Sequence, residues 1–191
     1  MKIAIDISQT VYPQGVGRLT SRLVSHLIEK DKENTYVLFF ATLRGELPAA
    51  MKELAKQSNV TLKKFPFPPT FLHILWNVLH IVPIELFIGK VDVFLSSDWT
   101  EPPTLFAKKV SIIHDLSVYL YPEEAHKKLG FSLKNFAPVA NIVAVQKKRL
   151  SWVAKECDQI IAVSEATKND IINILHIPQD KITVIYEGVG I

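Results

Sequence analysis

Short apolar runs alternate with amphipathic stretches along the whole chain. Runs of this length that are rich in β-branched residues are typical of strands covered on both faces by helices. Seven such runs predict strands, at residues 3–7, 36–41, 60–64, 91–95, 110–114, 159–163 and 182–185. Strands that alternate with helices in this way predict an α/β fold, a Rossmann-like, doubly wound and mainly parallel sheet.

The stretches between these runs carry helical spacing and helix-boundary residues. A stripe of leucines follows Gly15 and predicts a helix that opens there. A proline near its first turn favours a helix over residues 48–57, and Ser164 is placed as the N-cap of a later helix. A longer helix is predicted over residues 131–156, with a kink at Pro138.

The composition is that of an ordinary globular protein, with 191 residues of which 48% are hydrophobic and 21% charged, so one domain over residues 1–191 is expected. The single cysteine, Cys157, has apolar neighbours and is expected to be a buried thiol in a reducing cytoplasm. No signal-peptide pattern precedes the first strand. The net charge of +3 comes with lysine clusters, which predict exposed surface or, alternatively, contact with anionic ligands or lipid headgroups.

Residues 71–95 form a strongly apolar stretch, but polar residues such as His73, Asn77 and Lys90 interrupt it, so a membrane-spanning helix is not expected. The first part of the stretch is apolar nearly all round. This pattern favours a buried core helix, and the alternative is a surface that touches lipid or a partner.

The segment Gly15-Val16-Gly17-Arg18 follows the first strand and is the first candidate for chemistry. Positions without side chains let backbone amides approach a phosphate at the positive end of a helix. Thr20 stands where the dinucleotide fingerprint needs a third glycine, and no Gly-Lys-Ser/Thr follows, so a nicotinamide site and an ATPase are disfavoured. A glycine turn required only by backbone geometry is the alternative.

The pair His114-Asp115 ends a predicted strand, and ligands of open parallel sheets bind beyond the carboxyl ends of the strands. His114 is a candidate for proton transfer or for a hydrogen bond to a sugar hydroxyl, with Asp115 fixing its ring. The alternative is a buried polar pair that anchors a loop. The other histidines and the cysteine form no compact ligand motif with this pair, so no metal site is expected.

A third set of candidates, Asp98, Trp99 and Glu101, follows the strand at residues 91–95. These side chains are placed to line an acceptor pocket, although the two prolines that follow equally favour a plain loop. Ser164 is explained by helix capping, since no Gly-x-Ser-x-Gly elbow surrounds it.

In their order and spacing, these segments resemble the GT-B glycosyltransferases of family 4, also called group 1, and the resemblance covers almost the whole chain. The matching segments are Ile5-Asp6, Gly15-Val16-Gly17-Arg18, Trp76 with Pro83, Val91-Asp92-Val93, His114-Asp115-Leu116, Pro122, residues 157–168 and Tyr186-Glu187-Gly188-Val189. No segment is decisive alone, but the ordered set is specific.

The resemblance implies the N-terminal, acceptor-binding domain of a retaining enzyme that transfers a sugar from a nucleotide-sugar donor to a glycan or lipid-linked acceptor. It implies that Gly15 and Gly17 cradle the donor diphosphate and that Arg18 adds positive charge. His114 would hydrogen-bond the transferring sugar rather than act as a nucleophile. The nucleotide sugar is a co-substrate, so neither a cofactor nor a divalent metal is expected.

The sequence departs from the family pattern in one respect. No glutamate is followed eight positions later by another, so the paired-glutamate signature of the donor-binding domain is absent. We therefore expect that a C-terminal donor-binding domain lies outside this sequence and that the chain alone is inactive or nearly so. It would be a separately expressed domain or one half of a split polypeptide.

Two other functions remain open at this point. The chain is alternatively a standalone module that binds a saccharide or a membrane surface, or a subunit that pairs permanently with a separate donor half. The expected location is the cytoplasm, with peripheral contact at the inner face of the membrane as a possible addition. No nucleic-acid partner is expected.

Overall fold

The computed structural model describes residues 1–13, 15–123 and 142–188. The chain divides into two compact units, Met1–Val110 and Ser111–Ile191, and each is described by itself. Part of the helix predicted over residues 131–156, including the kink at Pro138, lies outside the described residues.

In the described residues seven strands occur close to the predicted positions: β1 (Lys2–Asp6), β2 (Thr35–Ala41), β3 (Val60–Phe65), β4 (Val93–Leu95), β5 (Lys108–Ile113), β6 (Gln159–Ala162) and β7 (Ile182–Val184). Their order in the sheet is β3-β2-β1-β4-β5-β6-β7. The neighbouring pairs β3–β2, β2–β1, β1–β4, β4–β5 and β6–β7 are parallel. The predicted Rossmann-like α/β fold with a parallel sheet is confirmed.

Helices connect the strands, as the alternating pattern predicts. The described α-helices are α1 (Val16–Lys30), α2 (Ala49–Leu54), α3 (Pro69–Leu72), α4 (Glu85–Ile88), α5 (Ser117–Leu120), α6 (Ile142–Glu156) and α7 (Glu165–Leu175). Two 3-10 helices, Ser8–Val11 and Gln179–Lys181, and a π-helical segment, His73–Val78, were not predicted.

The sheet of the first unit is buried on both faces, because successive side chains of a strand point to opposite sides. Val37 and Phe39 of β2 join one core cluster, in which the side chains of Trp76 and Ile84 cover the sheet. Leu38 and Phe40 join a second cluster, whose helical residues are Val24 and Ile28 of α1 and Met51 of α2. Burial on both faces explains why these strands are continuously apolar in the sequence.

The second unit has its own core, formed by side chains from β5, α6, β6 and α7. Ile113, Leu150, Val153 and Ile171 lie in this core, and the thiol of Cys157 is buried with them, as predicted. Ser164 is the N-cap of α7 and accepts a hydrogen bond from the backbone N–H of Thr167 at 3.0 Å. The predicted burial of Cys157 and the predicted N-cap at Ser164 are confirmed.

The apolar stretch that begins at Phe71 is buried on one face only. Leu72 and Trp76 lie in the core of the first unit, whereas Phe71, Ile74 and Val78 are exposed. The favoured interpretation, a buried core helix, therefore holds for the face that covers the sheet and not for the opposite face, which is exposed. Within the described residues, no helix is both long enough and apolar enough to cross a membrane.

Candidate functional site

The first cluster of candidate residues lies where β1 ends. The 3-10 helix Ser8–Val11 occupies part of the predicted loop, and α1 starts shortly after it. Gly17 is buried, and a Cβ at this position would lie 2.0 Å from the carbonyl oxygen of Tyr12 and 2.5 Å from that of Gln9. Only glycine permits this close approach of α1 to the preceding turn. The geometry therefore explains Gly17 by packing, and its contact with phosphate stays a prediction.

Gly15 is a glycine for a different reason. It precedes α1 with φ 54° and ψ −129°, a backbone conformation that side chains disfavour. A Cβ there would have no heavy atom within 4 Å, so Gly15 faces open space. Among the described residues no side chain caps α1, and Arg18 is exposed in its first turn. The backbone amides at the start of a helix lack intrahelical partners and favour an anion.

Gln9 connects this turn with the loop after β4, the strand next to β1. Its side-chain amide donates to the hydroxyl of Thr20 in α1, and its Oε1 accepts from the backbone N–H of Asp98 at 2.9 Å. The rings of Tyr12 and Trp99 also approach each other, with centroids 6.3 Å apart. The glycine segment and the predicted acceptor residues Asp98 and Trp99 are therefore neighbours. Sequence reasoning missed Gln9, whose only signal was a polar side chain two positions after the first predicted strand.

Glu101 differs from the other two acceptor candidates. Its side chain is completely buried, accepts a hydrogen bond from the Ser96 hydroxyl at 2.8 Å, and lies 3.7 Å from Nζ of Lys109, which is also buried. Its backbone N–H donates to Oδ1 of Asn77 at 2.9 Å. A carboxylate in this position does not face an acceptor, so the expected pocket role of Glu101 is corrected to one of holding the loop. Asp98 and Trp99 are partly exposed.

A buried carboxyl group, that of Asp6, lies beneath the same loops. Burial raises the pKa of Asp6, and hydrogen bonds from Ser8 and Ser97 oppose this rise. The backbone N–H of Ser8 donates to Oδ1 of Asp6 at 2.9 Å, and the Ser8 hydroxyl accepts from the backbone N–H of Ala41 at 2.9 Å. Asp6 thus orders the ends of neighbouring strands and does not reach solvent.

The second cluster belongs to the second unit and is centred on His114, which follows β5. Nδ1 of the His114 ring lies 2.9 Å from Oε1 of Glu187, and the His114 carbonyl accepts a hydrogen bond from the Thr167 hydroxyl at 3.1 Å. An ionised carboxylate only accepts hydrogen bonds, so Nδ1 is the donor and Nε2 is the acceptor atom of the neutral ring. Glu187 therefore orients the imidazole.

Asp115 does not have the role that the sequence predicted for it. Its carboxylate is exposed and accepts a hydrogen bond from the backbone N–H of Ser117 at 2.8 Å, so it stabilises the local turn before α5. The partner of the His114 ring, Glu187, lies 73 positions away in the sequence.

The comparison with known protein families gives one match. The family model described as Glycosyltransferase Family 4 matches residues 13–191. No curated protein matches the chain. The matched range includes every site residue predicted from the sequence, whereas Asp6 and Gln9 precede it.

Proposed function

Since the chain belongs to glycosyltransferase family 4, we propose that it binds the diphosphate of a nucleotide-sugar donor, together with the acceptor, in a retaining sugar transfer. In this reaction the bond between the anomeric carbon and the diphosphate oxygen breaks, and the acceptor hydroxyl oxygen bonds to that carbon. The hydroxyl proton leaves with the diphosphate, so the transfer balances without a change of oxidation state.

The open space at Gly15 is the observation that carries this proposal. Gly15 directly precedes the first residue of α1, and a Cβ at this position would have no heavy atom within 4 Å. Amides at a helix start and the exposed guanidinium of Arg18 favour negative charge that grows on a departing diphosphate. Gly15 and Arg18 are therefore proposed as donor contacts.

The acceptor is proposed to bind at Asp98 and Trp99. Gln9 fixes this loop beside the start of α1 through its 2.9 Å contact with the Asp98 backbone. A carboxylate accepts hydrogen bonds from sugar hydroxyls, and an indole ring offers an apolar surface to a sugar ring. The acceptor class that fits these two groups is a glycan or a lipid-linked saccharide.

His114 is proposed to hydrogen-bond the transferring sugar. Because Glu187 holds Nδ1 at 2.9 Å, Nε2 of the neutral ring is an acceptor, suited to a sugar hydroxyl. This role needs no covalent intermediate on the imidazole. A separate donor-binding domain is proposed to bind the nucleobase, in agreement with the resemblance to two-domain enzymes.

A titration with inorganic pyrophosphate and with UDP, GDP and ADP tests the donor site. We expect each to shift the backbone amide NMR signals of Val16 and Arg18, and Gly15→Ala to weaken binding about tenfold. Gly89→Ala is a matched control, because Gly89 also has positive φ, at 78°, and no neighbour within 4 Å. This control variant should bind like the wild type.

Two outcomes would contradict the proposal. Shifts confined to residues outside the start of α1, or equal weakening by both glycine variants, would remove the donor site from Gly15. If one nucleoside diphosphate bound much more tightly than pyrophosphate, this chain would itself hold the nucleobase, and the proposed separate donor-binding domain would be wrong.

A further inference from the structure

An exposed apolar strip runs along the segment that leaves α3 in the first unit. It consists of Phe71, Ile74, Val78, Leu79 and Ile81, whose exposures are 43%, 52%, 49%, 56% and 49%. Residues 71, 74 and 78 have helical spacing and lie opposite the buried pair Leu72 and Trp76. Contiguous apolar surface of this kind marks a site of association with a partner or a membrane.

A second group of exposed apolar side chains lies in α4 and in the loop that precedes β5. Leu86, Leu105 and Phe106 are 70%, 58% and 69% exposed. The carboxylate of Glu85 joins the two segments, because its Oε1 accepts hydrogen bonds from the backbone N–H groups of residues 105, 106 and 107 at 2.8 to 3.1 Å. These exposed side chains therefore lie on backbone that hydrogen bonds hold in place.

Lysines outnumber carboxylates among the exposed charges near these side chains in the sequence, with Asp92 exposed just beyond Lys90. Glu85 is the only acidic residue between positions 58 and 91, and it is buried. The charged side chains exposed in this stretch are Lys63, Lys64 and Lys90. Lys90 lies beside the second group, with Nζ 5.7 Å from the centroid of the Phe106 ring.

Aromatic contacts lead from the face of β3 that carries Lys63 to the apolar strip. Lys63 and Phe65 lie on the same face of β3, since residues two apart share a face. The ring of Phe65 stacks on Phe67 at 5.3 Å, and Phe67 contacts Phe71 at 5.3 Å. Lys63 thus lies on the face of β3 from which these rings lead to the apolar strip, and residues 58–91 contain no exposed carboxylate.

We propose that this surface docks onto an anionic lipid bilayer. Apolar side chains insert at the boundary between headgroups and acyl chains, and lysines beside them attract anionic headgroups. Exposed apolar residues accompanied by an excess of lysines favour a bilayer over a protein partner, since a bilayer offers an apolar interior and anionic headgroups together. Docking does not depend on the sugar-transfer chemistry proposed above.

The docking surface adjoins the loop that carries Asp98 and Trp99. Asn77, next to the exposed Val78, donates to the carbonyl oxygen of Trp99 at 2.9 Å and accepts from the backbone N–H of Glu101 at 2.9 Å. If the proposed acceptor site is right, docking places that loop near acceptors carried by lipids. This consequence rests on the proposed function, whereas docking itself does not.

Sedimentation with lipid vesicles tests the proposal on the 191-residue chain. We expect binding to vesicles of phosphatidylcholine mixed with phosphatidylglycerol and about tenfold weaker binding to phosphatidylcholine alone. The pairs Ile74→Ser/Leu79→Ser and Lys63→Gln/Lys90→Gln should each reduce binding to the anionic vesicles about tenfold or more. Leu43→Ser is the matched control, since Leu43 is 53% exposed but lies outside the surface.

Several outcomes overturn the proposal. These are failure of the wild type to bind anionic vesicles, equal loss in the Leu43→Ser control, and unchanged binding in Ile74→Ser/Leu79→Ser. Concentration-dependent dimerisation that disappears in Ile74→Ser/Leu79→Ser would assign the surface to a second copy of the chain. The pyrophosphate titration of Ile74→Ser/Leu79→Ser should match the wild type, so failure of docking and failure of the donor site are distinguishable.

Discussion

At the scale of single residues, Glu187 decides how His114 presents its ring. The 2.9 Å contact at Nδ1 fixes which nitrogen carries the proton in the neutral imidazole. The Thr167 hydroxyl holds the His114 carbonyl at 3.1 Å, so the backbone of the residue is also anchored. His114 is therefore positioned by two contacts from later parts of the chain.

Substitution of Glu187 should change the tautomer of His114. In the wild type we expect the neutral ring to carry its proton on Nδ1, because the carboxylate only accepts hydrogen bonds. Glu187→Ala should move the proton to Nε2 in most molecules, whereas Glu187→Gln should largely retain the Nδ1 form through its carbonyl oxygen. Long-range proton–nitrogen NMR correlations of the imidazole measure the tautomer directly. A neutral wild-type ring protonated on Nε2 would contradict this assignment.

At the scale of elements, the loop after β4 is held by a buried ion pair. Lys109 of β5 and Glu101 are 1% and 0% exposed, with 3.7 Å between Nζ and Oε1. Two buried charges are tolerated only together, because each alone lacks the solvation that water would provide. The pair thus fixes the end of the loop that presents Asp98 and Trp99.

Removing one member of this pair should lower the free energy of unfolding more than neutralising both members does. Lys109→Met should lower the free energy of unfolding by about 3–5 kcal/mol, because it leaves the Glu101 carboxylate buried without its cation. Lys109→Met/Glu101→Gln should be less destabilised than Lys109→Met, since Gln keeps an acceptor for the Ser96 hydroxyl without the charge. Urea unfolding at neutral pH measures both values, and a double variant less stable than the single one would disprove the pairing.

At the scale of the whole molecule, a parallel sheet with helices on both sides requires two separate cores in the first unit. Ile5 of β1 lies in one cluster and Ile84 in the other, and their exposures are 1% and 0%. The sheet backbone separates the two clusters, so a change in one need not alter packing in the other.

Loss of one methylene from each core should therefore be additive. Ile5→Val and Ile84→Val should each lower the free energy of unfolding by about 0.5–1.5 kcal/mol, and the double variant by the sum to within about 0.5 kcal/mol. Ile74→Val, at a side chain that is 52% exposed, is the control and should change stability by less than about 0.5 kcal/mol. Strong coupling in urea unfolding would mean that the two clusters share one packing arrangement.

Local patterns predicted those features that depend on neighbours in the sequence. The seven strands follow from short β-branched runs, the N-cap at Ser164 from its place before a helix, and the burial of Cys157 from its apolar neighbours. Each depends on the period of side chains along one element or on a few consecutive residues. For the same reason the ordered motifs were enough to identify the family.

Contacts between distant parts of the chain were decided only by the tertiary structure. Glu187 lies 73 positions from His114, and Gln9 lies 89 positions from Asp98, so no local pattern indicates either contact. The burial of Glu101 and the half-exposed apolar segment at Phe71 likewise depend on which elements the folded sheet brings together. Sequence thus determined the elements and their chemistry, while packing determined which side chains meet and which face solvent.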